Sequence, residues 1–254
     1  MIVDAIIPAL DEEAALPGVL DELKSTVVRR VVVVDNGSSD GTARVAKERG
    51  AHVVAEPRRG YGAACLRGID ECRRATPPPD VIVFLDGDGA DDPTELPRLL
   101  EPLWRGDAEL VIGSRVLAGA KVERFALTPQ QRVGNWLAAW LIRTLYGARH
   151  TDLGPFRAIR LDALERLAMR DLDWGWTAEM QVKAVRRGLR VVEVPASWRR
   201  RRGGRSKISG TVRGVVGAGY KIISTILRHA RAEAHAAAVE HAPLRDEQRA
   251  SGKR

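Results

Sequence analysis

Two carboxylates one residue apart are the chemical feature around which the sequence is organised. Asp86 and Asp88 follow five apolar residues in the stretch VIVFLDGDGADD, which covers residues 81–92. Such an unbroken apolar run is typical of a strand buried on both faces of a sheet. Two carboxylates at the end of this strand repel each other unless a cation, an arginine or a shared proton lies between them. A divalent metal is the simplest partner, although aspartate at a strand end also occurs as a plain cap.

The residues around the second aspartate favour a ligand. Gly87 and Gly89 leave room for a large molecule to approach the backbone. Asp91-Asp92-Pro93 then has the pattern of a helix N-cap and first turn. This arrangement predicts a strand, a ligand-binding loop and a helix.

Three earlier apolar segments, at residues 3–8, 31–34 and 51–57, each precede a turn-rich loop and a helical pattern. The second segment ends at Asp35, before NGSSDGT, and the third leads to RRGYGAA and a helix predicted to end near Gly68. Repeated strand and helix units predict an α/β fold with a mostly parallel sheet. Ligands of such sheets bind at the carboxyl ends of the strands.

Residues 60–65, GYGAAC, partly match the dinucleotide fingerprint G-x-G-x-x-G/A. Cys65 stands where that pattern needs a small residue, and the fingerprint normally follows the first strand of its unit. Hydride transfer would also leave VVVVDNGSSDGT and Asp88 without a role. A dehydrogenase is therefore a disfavoured interpretation.

The basic charge is concentrated at the C-terminal end. The formal net charge is +8, and residues 186–254 hold 17 Lys and Arg against 5 Asp and Glu. Residues 1–185 hold 24 against 28. This asymmetry predicts contact with phosphates, an anionic membrane surface or nucleic acid. A nucleic-acid-binding module is disfavoured, because the clustered acids beside the predicted cleft would repel its phosphates without a metal.

Several features favour a cytoplasmic protein. The only cysteines, Cys65 and Cys72, lie seven residues apart on one predicted helix, as packing residues with reduced thiols. We find no signal peptide and no stretch of eighteen apolar residues. The basic C-terminus also fits a cytoplasmic protein that lies peripherally on the inner face of the membrane.

Seven segments, taken in order, resemble the family 2 glycosyltransferases, and among them the dolichyl- and polyprenyl-phosphate sugar synthases. They are IIPALDEE, VVVVDNGSSDGT, RRGYGAA, FLDGDGADDP, IGSR, TDLGPFRAIR and EVPASWRRRRGGRSKISG. The resemblance implies a GT-A fold over residues 1–210, a Rossmann-like three-layer sandwich with a mostly parallel central sheet. Residues 211–254 would then form an amphipathic helix and a basic, flexible tail.

The resemblance also implies roles for individual residues. Asp86 and Asp88 would bind Mg²⁺ or Mn²⁺ on the diphosphate of a nucleotide-sugar donor. The residues implied to hold the rest of the donor are Pro8, Ala9, Glu12, Asp35 and Gly60. The residues implied to contact donor or acceptor phosphates are Arg115, Arg201 and Lys207.

The implied reaction is an inverting, metal-dependent transfer of a sugar from a UDP- or GDP-linked donor to a polyprenyl phosphate. A phosphate acceptor is already an anion and needs no general base. A hydroxyl acceptor would need one, and Asp152 and Glu179 are the candidates. A structural cap or ion pair is an equal alternative for both residues.

The sequence departs from the family pattern at two places. Leu10 stands where an aromatic residue is common, which leaves base stacking at this position without support. The lipid-linked members of the family often carry transmembrane helices after the catalytic domain, and none is found in this sequence, so a soluble hydroxyl acceptor is kept as an alternative. A sugar nucleotidyltransferase is a further alternative. It normally opens with a glycine-rich loop and an arginine, however, and residues 9–15 contain no glycine.

The basic segment at residues 199–207 is predicted to be a lid. Its like charges repel each other unless they enclose a polyphosphate. Gly203 and Gly204 would let it bend over the donor, so we expect it to become ordered when the donor binds.

Two helical segments each leave a choice between packing and binding. Residues 128–147 carry Trp136, Trp140 and Tyr146, which suit core packing or an acceptor groove. Residues 211–231 have one basic and one apolar face. This second helix is predicted either to lie on a membrane surface or to pack on the domain or a second subunit.

Overall fold

The computed structural model describes residues 1–124, 126–203 and 212–240, with side chains from 216 to 231 in the last segment. Seven strands within these residues form one sheet in the order β3-β2-β1-β4-β6-β5-β7. The strands are β1 (Val3–Ala9), β2 (Arg30–Asp35), β3 (His52–Ala55), β4 (Val81–Phe84), β5 (Leu110–Ser114), β6 (Arg157–Arg160) and β7 (Val191–Pro195).

Eight α-helices accompany the sheet within the same described residues. They are α1 (Leu16–Leu23), α2 (Thr42–Glu48), α3 (Tyr61–Arg73), α4 (Leu96–Trp104), α5 (Pro129–Tyr146), α6 (Leu161–Leu167), α7 (Trp176–Arg186) and α8 (Val212–Glu240). A 3-10 turn at Pro93–Glu95 precedes α4. Asp92 caps it as predicted, since its carboxylate accepts the Thr94 backbone N–H at 3.0 Å.

The sheet is mostly parallel, as predicted. β1 pairs in parallel with β2 and β4, and β3 continues the same direction beside β2. β6 is antiparallel to both of its neighbours, β4 and β5, while β7 is parallel to β5. The carboxyl ends of β1, β2 and β4 therefore meet at one edge, where the acidic loops follow.

Buried clusters on both faces of the sheet make the fold a three-layer sandwich. Ile7 of β1 packs on one face with Leu20 of α1 and Leu100 of α4. The next residue back, Ile6, packs on the opposite face with Trp176 of α7. This alternation follows from the two-residue period of a strand, and it explains why the central strands are apolar without interruption.

Helix α3 differs from the prediction that it ends near Gly68. The helix continues through this glycine to Arg73. A Cβ at Gly68 would lie 2.5 Å from Cγ2 of Ile6, so the glycine lets the helix approach the sheet closely. Cys65 and Cys72 are fully buried free thiols on this helix, as predicted.

Helix α8 packs on α5 and α7. Ile226 is fully buried, and its carbonyl accepts a hydrogen bond of 2.6 Å from the Tyr146 hydroxyl of α5. The Thr225 hydroxyl donates to the Asp171 carboxylate at 3.2 Å. None of the described helices combines the length and apolarity that a bilayer crossing needs. Helix α8 continues to Glu240, past the predicted helix end at residue 231, and residues 241–254 of the predicted tail lie outside the described residues.

Candidate active site

The ends of β1 and β2 bring three predicted donor-binding residues together. Ala9 and Asp35 are register partners at these ends, and Pro8 directly precedes Ala9. The Asn36 backbone N–H donates to the Ala9 carbonyl at 2.9 Å, which joins the two loops. The Asp35 carboxylate accepts the Ser38 N–H at 2.9 Å, and this bond fixes its direction.

The Asn36 side chain shapes the next loop. Its amide nitrogen donates to the carbonyls of Glu56 and Arg58 at 2.9 and 2.8 Å. Its side-chain oxygen accepts the Gly60 N–H at 2.8 Å. The loop of residues 56–60 is therefore held beside Asp35.

The two aspartates of the central motif lie in the loop after β4. Asp86 donates its backbone N–H to the Asp91 carboxylate at 3.0 Å, and Asp88 accepts the Ala90 N–H at 2.9 Å. Burial, followed by the charge of Asp88, raises the pKa of Asp86 to about 7. Burial, followed by the charge of Asp86, also raises the pKa of Asp91. The loop thus holds more negative charge than its surroundings neutralise.

One arginine lies directly on these acids. Arg201 donates Nη1 to Asp88 Oδ2 at 2.8 Å, and its Nη2 forms an ion pair with Glu12. Glu12 is itself buried, and its backbone N–H donates to the Thr42 hydroxyl at 2.8 Å. The structure therefore brings together Glu12, Asp88 and Arg201, which the sequence places far apart.

The backbone of the basic segment runs beside the loop of residues 85–92, which we name the acidic loop. The Arg202 N–H donates to the Asp88 carbonyl at 3.0 Å, and the Arg199 N–H donates to the Ala90 carbonyl at 2.8 Å. The predicted lid is described only as far as Gly203. Lys207, which was assigned to phosphate binding, lies outside the described residues.

The side chains at this edge fit a hard divalent cation. Asp86 and Asp88 supply carboxylate oxygens, which Mg²⁺ and Mn²⁺ prefer as ligands. Burial and the charge of Asp88 disfavour the ionised form of Asp86 and raise its pKa, and a bound cation would favour that ionised form. In the described part of the chain, no group of three or more His, Cys, Asp or Glu is placed to hold a metal. Phosphate oxygens of a substrate or water would have to complete the coordination.

We expect Asp86→Asn to stabilise the protein at alkaline pH when metal and donor are absent. The raised pKa of Asp86 means that, in the interval between its ordinary value and about 7, the folded chain binds a proton that the unfolded chain has lost. The free energy of unfolding therefore falls as the pH rises through that interval. Asparagine carries no charge and removes this loss.

The expected gain is at least about 1 kcal/mol near pH 8, or about 2–4 °C in the thermal midpoint. It should shrink as the pH falls to about 3, below the ordinary pKa of aspartate, where most of the carboxyl is protonated in both states. Thermal unfolding in a chelator at both pH values measures this. An equal difference between variant and wild type at both values would contradict the placement of Asp86.

Arg115 and Asp152 form a buried ion pair. Arg115 donates Nε to Asp152 Oδ2 at 2.7 Å and Nη2 to Oδ1 at 2.6 Å, and its backbone N–H donates to Oδ2 at 2.8 Å. Burial lowers the pKa of Arg115, but the charge and hydrogen bonds of Asp152, together with the charges of Asp91 and Asp86, outweigh burial, and the net shift is upward. The guanidinium also lies 4.7 Å from the Trp198 ring centroid, a cation–π contact. These contacts fix its direction.

Glu193 supports this pair from β7. Its carboxylate accepts the Thr151 N–H at 2.9 Å and the Asp152 N–H at 3.1 Å. The Asp152 carbonyl accepts Gln181 Nε2 at 2.7 Å. Asp152, a candidate general base from the sequence, is therefore placed as the residue that positions Arg115.

A groove of about 580 Å³ opens beside Arg115 along α5. Arg132 and Arg143 also line it, together with Trp136 and Trp140. The two tryptophans are 64% and 49% exposed, and their rings stack at a centroid distance of 6.5 Å. The sequence left a choice between core packing and a groove for these aromatic residues. Tyr146 packs against the core, whereas Trp136 and Trp140 line the groove.

Glu179, the other candidate base, does not line this groove. Its carboxylate accepts the backbone N–H groups of Arg170 and Asp171 at 3.1 and 2.7 Å. It also pairs with Lys183 at 2.7 Å. These contacts hold the loop that precedes α7.

Gly60 and Gly62 lie where α3 meets the same loop. Gly60 has φ +143°, and a Cβ there would lie 2.0 Å from the Leu172 carbonyl oxygen. A Cβ at Gly62 would lie 2.1 Å from the Asp171 carbonyl oxygen. Close packing therefore explains the two glycines of the partial dinucleotide fingerprint.

We expect Gly60→Ala to destabilise the fold by about 3 kcal/mol or more, because both its backbone angle and its Cβ position are forbidden to alanine. Gly134→Ala in α5 is the matched control, since no atom lies within 4 Å of its Cβ position. Alanine there should stabilise the helix by about 0.5–1 kcal/mol. Opposite shifts in the thermal midpoints support this geometry, and equal shifts contradict it.

Arg157 of β6 is a supporting residue of the site that the sequence patterns do not predict. This arginine is fully buried and donates to the carbonyls of Gly154 and Thr177, both at 3.2 Å. Burial lowers its pKa to about 10. The available signal was an arginine within the strand-like RAIR. Arg157 anchors the loop that carries Asp152.

The Glycosyl transferase family 2 sequence profile matches residues 4–168. The chain belongs to glycosyl transferase family 2. It is 34% identical over 229 residues to an undecaprenyl-phosphate mannosyltransferase of Micrococcus luteus, covering 85% of this chain and 90% of the relative. It is also 34% identical over 223 residues to a polyprenol monophosphomannose synthase of Mycolicibacterium smegmatis, covering 81% and 80%. The protein is therefore a glycosyltransferase.

A solved structure supports the fold. Glucosyl-3-phosphoglycerate synthase from Mycobacterium tuberculosis superposes with a TM-score of 0.71, covering 91% of this chain and 80% of its own. The two sequences are 23% identical, so the likeness concerns the fold alone. The chain therefore has the GT-A fold that was expected of it.

Proposed function

We propose that this glycosyltransferase moves a sugar from a nucleoside-diphosphate donor, UDP- or GDP-linked, to a polyprenyl phosphate. The observation that carries the proposal is the groove beside Arg115. It combines cationic side chains with an exposed pair of tryptophans. This is the chemistry of an amphiphilic anion, with a charged head and an apolar tail. The names of the two relatives point to the same acceptor class.

The charge of the groove favours a phosphate head. Arg115, Arg132 and Arg143 line it, and Asp152, the one carboxylate among the described residues that line it, is engaged by Arg115. The head would lie at Arg115, because this arginine is near enough to the proposed donor site for the charges of Asp91 and Asp86 to act on it. Acceptor phosphate and donor would thus approach each other between the groove and the acidic loop.

The donor would occupy the edge formed by β1, β2 and β4. Asp35 and Glu12 would hold the nucleoside, with Pro8, Ala9 and Gly60 forming the backbone around it. Asp86 and Asp88 would hold Mg²⁺ or Mn²⁺, which stabilises the charge of the departing diphosphate as a Lewis acid. The structural neighbour has been crystallised with Mn²⁺ and UDP. Arg201 would then leave Asp88 and pair with the diphosphate.

In the reaction, an acceptor phosphate oxygen attacks the anomeric carbon of the sugar. The bond from that carbon to the donor diphosphate breaks on the opposite side, and the configuration inverts. No proton has to be removed from a phosphate anion. This agrees with the placement of Asp152 and Glu179, whose carboxylates are engaged by Arg115 and by backbone N–H groups. Arg115 acts by holding and neutralising the acceptor head.

The test is transfer of labelled sugar by the purified full-length chain in the presence of Mn²⁺. Polyprenyl phosphate should be glycosylated at least about 100-fold faster than the matching polyprenol or a soluble phosphorylated acceptor. The reason is that the groove would contact both the phosphate head and the apolar tail of the acceptor. Faster transfer to a soluble hydroxyl acceptor would replace the proposal by the alternative acceptor class.

A groove variant sharpens this test. Trp136→Ser combined with Trp140→Ser should raise KM for a long-chain polyprenyl phosphate about tenfold or more, with a smaller effect on a short-chain phosphate. Trp104→Ser is the matched control, because Trp104 lies on α4, outside the groove. Equal effects on both chain lengths would contradict a tail-binding role for the tryptophans.

A further inference from the structure

Helix α8 carries two apolar stripes, of which only one packs on the domain. Ile222 and Ile226 lie in the cluster with α5 and α7. Val216 and Tyr220 point away from it and are 65% and 72% exposed. Leu227 continues this second stripe at helical spacing and is also exposed. The helix therefore presents an apolar face to solvent while its other apolar face is buried.

Helix α5 presents a similar outer face next to α8. Val133 is 64% exposed, and the stacked Trp136 and Trp140 are exposed on the same side of the helix. The two helices are joined by the bond from the Tyr146 hydroxyl to the Ile226 carbonyl. We consider their two outer faces together and name them the α5/α8 surface.

The charged residues of the two helices have one sign, although Lys221 pairs at 3.6 Å with Asp173 of the loop before α7. Residues 129–146 and 216–231 contain no Asp or Glu. Their cationic residues are exposed, namely Arg132, Arg143, Lys221, Arg228 and Arg231. Two copies of the chain that met through this surface would bring ten such cations together. Repulsion disfavours that pairing, whereas an anionic surface is attracted.

We propose that the α5/α8 surface docks on an anionic lipid bilayer. Tyrosine and tryptophan suit the interfacial layer because their rings are apolar and their polar atoms can reach water. The aliphatic residues Val133, Val216 and Leu227 enter the acyl boundary, and the arginines meet the headgroups. The inference rests on the proposed function for its purpose, since Trp136 and Trp140 belong to both the groove and this surface. Docking would open the groove towards a lipid acceptor.

The experiment is flotation of the full-length chain with vesicles, without donor or acceptor. One set of vesicles contains equal parts of phosphatidylglycerol and phosphatidylcholine, and the other contains phosphatidylcholine alone. The test variant carries Val133→Ser, Tyr220→Ser and Leu227→Ser, three exposed positions that do not line the groove. Trp104→Ser is the matched control, an exposed aromatic residue on α4, across the sheet.

The expected result is flotation with the anionic vesicles and much less with the neutral ones. The triple variant should bind the anionic vesicles at least about tenfold more weakly than wild type, while Trp104→Ser binds like wild type. Absence of flotation would overturn the proposal, and so would equal flotation of the triple variant. A concentration-dependent dimer that the triple variant abolishes would assign the surface to a second copy instead.

Sugar transfer in detergent separates this proposal from the proposed function. Transfer to polyprenyl phosphate in detergent, together with no vesicle binding, would remove the docking surface and leave the acceptor assignment intact. Vesicle binding without any transfer to polyprenyl phosphate would do the reverse.

Discussion

Asp88→Asn is expected to lower sugar transfer about 1000-fold while leaving the protein folded. Asparagine keeps the side-chain oxygen that accepts the Ala90 N–H at 2.9 Å, so the loop can persist. It removes one of the two carboxylates proposed to hold the cation on the donor diphosphate. Loss of such charge stabilisation typically lowers kcat about 100- to 1000-fold, and a lost metal adds to this. Steady-state transfer with saturating donor and acceptor measures the effect.

Asp92→Asn is the matched control for this variant, because it changes the same charge four residues away. Asp92 caps the turn before α4, and asparagine is an equally good cap. We expect its transfer rate to stay within about threefold of wild type. Wild-type turnover by Asp88→Asn would remove the paired aspartates from the mechanism.

The second large effect is expected at the buried pair of Arg115 and Asp152. Asp152→Ala leaves the Arg115 guanidinium, and the backbone N–H of the same residue, without the carboxylate that accepts all three of their hydrogen bonds. Removing one partner of a buried ion pair costs about 3–5 kcal/mol. Urea unfolding should show a lower midpoint with an unchanged slope.

A double variant separates the pair from general damage to the fold. Arg115→Met combined with Asp152→Leu replaces both charges with apolar groups of similar size. It should regain at least about half of the lost stability, because such replacements of buried ion pairs are often neutral. Transfer should stay low in both variants, since both lose the oriented guanidinium. A double variant as unstable as Asp152→Ala would contradict the assignment of the loss to an unpaired charge.

The sequence predicts the framework of this fold because the framework depends on local patterns. Residues 31–34 are all valine, and residues 81–84 are all apolar, so each identifies a buried strand without knowledge of its neighbours. Gly68 shows where local patterns fail. A glycine within a helical pattern resembles a stop signal, and only the position of Ile6 shows that it is a contact point.

The pairing of charges in the site could not be predicted for the same reason. Arg201 and Asp88 are 113 residues apart, and their contact depends on how the segment after β7 crosses the acidic loop. The sequence did require a cation, an arginine or a proton for the two aspartates. It did not show that Arg201, which belongs to the predicted lid, pairs with Asp88.

The tryptophans of α5 show a third kind of limit. Their spacing places them on one helix face, but the same pattern fits a core and a groove. The outcome depended on α8, since this helix packs beside α5 at the Tyr146 end and leaves Trp136 exposed. A helix that far along the chain cannot be located from the local pattern of α5.

Titration of nucleoside diphosphates into the protein, with Mn²⁺ or with a chelator, tests the central claim most directly. The claim is that Asp86 and Asp88 hold a cation whose coordination the donor diphosphate completes. Because the described side chains do not form a complete metal site by themselves, metal and nucleotide should bind cooperatively. We predict that Mn²⁺ tightens binding of UDP or GDP by about 100-fold or more, and that Asp88→Asn abolishes this gain. Equal affinity with Mn²⁺ and with chelator in the wild-type protein would contradict the account.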